Sequence, residues 1–130
     1  VFPHAQYVDI ELVEPDTLMF VKDPFRGLRP ADGVCVYFEN KVQLNISHWY
    51  KINRWQKREL LFHELAHCTL HMQHTSEQFN IMNPFAGKNM YWVHEDGSNW
   101  KKLVIQLKQD YTESIRRQEL DKINSKATGL

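Results

Sequence analysis

The residues best suited to do chemistry are His63-Glu64-Leu65-Ala66-His67. On a helix, residues four apart stand one turn apart on the same face, so both imidazoles can reach one ion. Glu64 lies beside the first imidazole. From there its carboxylate can take a proton from water held by the metal. By itself the pattern also describes two surface histidines flanking a glutamate. The neighbours Leu61, Phe62, Leu65 and Ala66 argue for a buried helix instead. Two histidines and a glutamate buried there need partners, and Zn2+ suits all three.

A catalytic zinc needs a third protein ligand and an open position. On a continuous helix the Cα of His71 would stand about 12 Å along the axis from that of His63. Three imidazoles in such a row cannot form three corners of a tetrahedron. His74 is the better candidate, if the helix ends near Leu70 or His71 and the chain turns back. Glu77, His94 and Glu95 are weaker alternatives. The expected site is therefore His63, His67 and His74 on zinc, with Glu64 as the catalytic base. Cys68 follows His67 and points about 100° around the helix from it, so it reads as a small buried hydrophobe rather than a ligand. With Cys35 it allows one disulfide, which is not a framework.

These residues need elements to position them. Residues 6–13 alternate apolar and polar and read as a strand. Thr17 to Val21 reads as another, and Pro24, Gly27, Pro30 and Gly33 punctuate a loop after it. Val34 to Phe38 and Lys41 to Ile46 read as a hairpin turning at Glu39-Asn40. Val42, Leu44 and Ile46 fall on one face of its second strand. Asn53 reads as the N-cap of a helix from Arg54 to about Leu70, which contains no Pro or Gly. From Gln73 to Ser98 the chain reads as irregular. Ser98 then starts a long helix from Asn99 to about Asn124, with the apolar stripe Trp100, Leu103, Val104, Leu107, Tyr111 and Ile115. Past Tyr111 it becomes strongly charged, as a solvated face would.

The expected fold is α+β: a small mixed twisted sheet on a central active-site helix, then the long C-terminal helix. The 130 residues fit one domain, with sheet and zinc helix in 1–74 and the remainder in 75–130. Formal net charge is zero, which argues against a nucleic-acid partner. No apolar run approaches the length of a membrane span. Seven histidines are many for this length, and three crowd into positions 63 to 71. Asn45-Ile46-Ser47 matches a glycosylation acceptor and reads as a chance match within a strand. The chain begins at Val1 rather than Met, which suits a processed or trimmed end. A secreted or periplasmic setting is expected over a cytoplasmic one, as is a monomer acting on a peptide or protein substrate.

With the motif followed by Ile81-Met82-Asn83-Pro84, the chain resembles the metzincin clan of zinc peptidases. That clan has a long His-Glu-x-x-His helix, a third histidine just past a sharp turn, and a Met-turn beneath the metal. The resemblance covers about residues 34 to 84 and is specific where both motifs occur together. The run from the hairpin through Phe62-His63-Glu64-Leu65 also resembles small bacterial metallopeptidases with a His-Glu-Leu-Gly-His-Cys core. The resemblance to the metzincin clan implies that Met82 floors the site and that an extended peptide pairs with an edge strand, Val34 to Phe38 being the expected one. Tyr91 or His94 would then assist the oxyanion. Two positions depart from the clan. Leu70 stands where it has Gly, and Gln73 where it has the third histidine. His74 thus comes one residue late, and His71 or Met72 must take a conformation that Gly usually supplies.

The implied activity is that of a zinc-dependent endopeptidase. One rival is a gluzincin-type hydrolase with an acidic third ligand such as Glu95. Another is a non-catalytic, zinc-stabilised binding module, in which Glu64 would have no purpose.

Overall fold

Strand β5 (Lys41–Asn45) lies at the centre of the larger sheet in a computed structural model that describes residues 7–24, 26–84 and 91–128. Strand β1 (Asp9–Val13) runs parallel to it, and β4 (Gly33–Val36) runs antiparallel. Val42 and Leu44 of β5 alternate inward and are fully buried, as their spacing predicts. The fold is α+β, but the strands divide into two sheets rather than one.

The second sheet corrects the reading of residues 17–33. Pro15–Thr17 is a turn of 3-10 helix, and β2 (Phe20–Asp23) starts three residues later than expected. The punctuated loop contains a strand, β3 (Gly27–Pro30), paired antiparallel with β2. Gly27, at φ 75°, supplies the positive φ of the turn. Charge holds the hairpin. The buried Asp23 accepts from Arg26 and Arg29, each at 2.9 Å, and Arg29 reaches Asp32 at 2.8 Å. Hydrophobic periodicity cannot register such pairs.

Strand β4 stops at Val36, earlier than expected, and Tyr37–Glu39 form a 3-10 turn closed by Asn40 in the left-handed region. Asn45 ends β5 and caps a short helix, α1 (Ile46–Trp49), accepting from the amides of Ser47 and His48. Its side-chain amide also donates to Ala31 O. The glycosylation match is thus a buried helix cap, and Ile46 belongs to the helix rather than the strand.

Helix α2 (Arg54–Leu70) has the expected bounds, with Asn53 and Gln56 closing a capping box. Helix α3 (Trp100–Thr128) packs its expected stripe on the core. Leu103, Leu107 and Tyr111 are buried with Ala66, Leu70, Met72, Ile81 and Met82. Trp100, Val104 and Ile115 flank them. Ser98 does not cap this helix, since its hydroxyl meets His94 Nδ1. Asn99 precedes the first turn instead, and its side chain ties down the backbone of Trp92 and His94.

Candidate metal centre and active-site cleft

One face of α2 carries His63 and His67, and the returning chain fixes both rings. His63 Nδ1 donates to Ile81 O at 2.7 Å, and His67 Nδ1 donates to Met72 O at 2.6 Å. With the proton on Nδ1, each Nε2 is left with a lone pair. His74 brings a third ring. The Nε2 atoms of His74 and His67 each stand 3.2 Å from Nε2 of His63. The ligand atoms of the three histidines all lie within 4.8 Å of one another.

Two lone-pair nitrogens at that distance repel, because neither can donate. Ligands about 2.05 Å from a tetrahedral zinc would stand about 3.3 Å apart, which fits the spacing. Burial, opposed by the Ile81 bond, lowers the His63 imidazole to about 3. Burial likewise lowers His67 and His74. All three are held in the neutral form that binds metal.

Helix α2 ends at His71, which takes the left-handed conformation at φ 53° and ψ 32°. The Met72 amide returns to Ala66 O at 3.1 Å, closing the helix end. The conformation expected of His71 or Met72 thus falls on His71, and His74 follows three residues later. His71 itself points away and stacks on Tyr37, with ring centroids 5.6 Å apart.

The 80–83 turn is fastened from below. Asn80 is buried and accepts from the Met82 amide at 2.9 Å, while its own amide donates to Asp110 of α3 at 2.9 Å. Thr75 N donates to Met82 O at 3.1 Å. Met82 is buried in the core with Ala66 and Leu70, at the turn whose Ile81 carbonyl holds His63. Neither Asn80 nor Asp110 was singled out by sequence. A turn-forming Asn at the start of the 80–83 turn is the only local signal.

Glu64 is buried on the cleft side of α2, where a Cβ on Gly33 would stand 3.0 Å from its Cγ and Oε2. Burial, then the Asp32 carboxylate, raises its carboxyl to about 8, a shift that a cation beside it would oppose. Sequence reading also missed Glu59, which accepts from the amides of Trp92 and Val93 at 2.9 and 2.7 Å and so places Tyr91. The Tyr91 hydroxyl is hydrogen-bonded to His48 Nε2, and His48 Nδ1 lies 3.4 Å from Asp32. Burial raises the phenol, which stays protonated. His94, Glu77 and Glu95 are exposed and do not join the three histidines.

Cys68 is not the free thiol its setting suggested. It forms a disulfide with Cys35, joining β4 to α2 one residue beyond His67. The sequence allows this one pairing, and the packing of the sheet on the helix brings the two residues, 33 apart, together. Between the β2–β3 hairpin, the edge of β4, α2 and the 81–84 turn lies a cleft of about 320 Å³. Glu64, Tyr91 and all three histidines line it.

In comparisons with known proteins, no family, no curated protein and no solved structure matches this chain.

Proposed function

We propose that the protein is a zinc-dependent endopeptidase, with His63, His67 and His74 as the metal ligands and Glu64 as the general base. The observation that carries this reading is the convergence of three neutral imidazoles, two of them locked through Nδ1, beside a buried glutamate in an open cleft. The metzincin-like pattern of motif and Met-turn supports it. When bound, zinc supplies Lewis acidity and makes water acidic enough to attack near neutral pH. Glu64 takes the proton of the attacking water and returns it to the leaving amine. Tyr91 lines the same cleft, and its protonated hydroxyl would assist the oxygen where charge develops by turning its one proton there from His48.

The edge strand supports a peptide substrate. Asn45 N donates to Asp32 O at 2.9 Å, and antiparallel pairing alternates from there. Val34 and Val36 thus bond to β5, while Gly33 and Cys35 direct their main-chain groups to the open edge. An extended peptide can pair with these two residues beside Glu64. A secreted or periplasmic setting belongs to this reading and agrees with a disulfide, a bond that persists in oxidising compartments. No helix among the described residues is long and apolar enough to cross a membrane.

The test is metal analysis combined with peptide digestion. The wild type should bind one zinc and cleave peptides. Glu64→Gln should keep the zinc and lose at least about 1,000-fold in kcat. Tyr91→Phe should lower kcat with little change in KM. Stoichiometric zinc without cleavage of any peptide would favour the binding-module reading instead.

A further inference from the structure

The cleft is walled by apolar side chains from three separate elements. Met19 and Val21 come from the β2–β3 side, Tyr37 from the 3-10 turn after the edge strand, and Leu60 from α2. Met19 is 63% exposed and Tyr37 51% exposed, a large apolar surface to leave at the rim of a cleft. The charged groups of the wall are engaged elsewhere among the described residues. Arg29 is bonded to Asp23 and Asp32, and Glu59 accepts from two backbone amides. The remaining ionisable groups belong to the metal site. A charged substrate side chain entering here would lose water and find the charges of the wall already paired. An apolar one would cover Met19 and Tyr37 and gain from it.

We propose that the substrates are extended peptides with apolar side chains flanking the bond to be cut, selected by Met19 and Tyr37 at the two rims. This rests on the peptidase reading and deepens it. Main-chain pairing with Gly33 and Cys35 accepts any sequence, so discrimination falls to the walls. Met19 stands where the chain enters β2, and Tyr37 stands just past the end of β4. Both line the cleft, and they come from different elements. Tyr37 is steadied by its stack on His71, so its ring is ordered before substrate arrives.

The zinc-loaded protein is incubated with a mixed peptide library and the cleaved bonds are sequenced. Apolar residues should be enriched about tenfold over charged ones beside the cut, and Met19→Glu and Tyr37→Glu should shift the preference toward lysine and arginine. Enrichment of charged residues by the wild type, or an unchanged profile in both variants, overturns the inference. A second arm separates its failure from that of the peptidase reading. Blocked peptides with Leu-Leu, Lys-Lys or Glu-Glu at their centre are titrated into Glu64→Gln protein. Binding of Leu-Leu at least about tenfold tighter sustains the apolar selection even if nothing is cleaved. Equal binding of all three overturns it.

Discussion

Gly33 and Glu64 approach so closely that a methyl group at position 33 would stand 3.0 Å from both Cγ and Oε2 of the glutamate. Leu44 would press on the same methyl at 3.2 Å, so retreat in that direction is closed as well. The edge strand and the base are therefore closely fitted, and a methyl group at 33 would require Glu64 or Leu44 to give way. Gly33→Ala should displace the Glu64 carboxylate while leaving the three imidazoles in place. The expected result is one zinc per chain and a kcat reduced about 100-fold. Steady-state kinetics with metal analysis would check it, and full activity would show that Glu64 has room to shift at no cost.

His71 and His74 should separate cleanly by mutation. His74→Ala removes one of three ligands and should abolish tight zinc binding, measured by competition with a chelating dye. His71→Ala should keep the metal. It should lower stability by about 1 kcal/mol, since the stack on Tyr37 is lost and the left-handed conformation still strains alanine. His71→Gly should recover most of that loss. Loss of zinc on changing His71 would reverse the ligand assignment.

The Cys35–Cys68 bond closes a loop across 33 residues and ties the edge strand to the metal helix. Chain entropy assigns such a loop about 4 kcal/mol of stabilisation. Denaturant unfolding with and without reductant should differ by about that amount. A Cys35→Ala, Cys68→Ala double variant should behave like the reduced protein and ignore reductant. A midpoint unmoved by reductant would mean that packing of β4 on α2 suffices without the bond.

Burial raises the Glu59 carboxyl to about 7, from 4.5 when unfolded, against the pull of two backbone amides. The folded protein then holds this proton more tightly than the unfolded chain. The stabilisation is fully present below about pH 4.5 and is lost as pH rises through about 7. Glutamine at this position cannot titrate. The stability of the wild type relative to Glu59→Gln should therefore fall by up to about 3 kcal/mol between pH 4.5 and 7. Chemical denaturation of both proteins across that range measures it. A constant difference would show that Glu59 ionises normally.

Much of the site was legible in sequence because its information is local. The four-residue spacing of His63 and His67, the apolar neighbours and the Asn53 cap all act within one helix. Periodicity alone also drew the six-residue stripe of α3. His74 could be reasoned to as third ligand, because a straight helix cannot use His71. What lay beyond reach were contacts between distant residues. These include the hairpin held by Asp23, Arg26, Arg29 and Asp32 and the fastening of Asn80 to Asp110. Ser98 looked like a cap and was not, because Asn99 takes the position before the helix.

By itself, then, the sequence determined the helix that carries His63, Glu64 and His67 and the class of chemistry those side chains suit. Period, capping and side-chain type are properties of neighbours in the chain. Only the tertiary structure decided that His71 turns the backbone and His74 comes back to the other two imidazoles. That choice depends on a left-handed residue, on the carbonyls of Met72 and Ile81, and on a turn pinned to α3. It likewise placed Gly33 against Glu64, across 31 residues of chain, where no local rule could have put it.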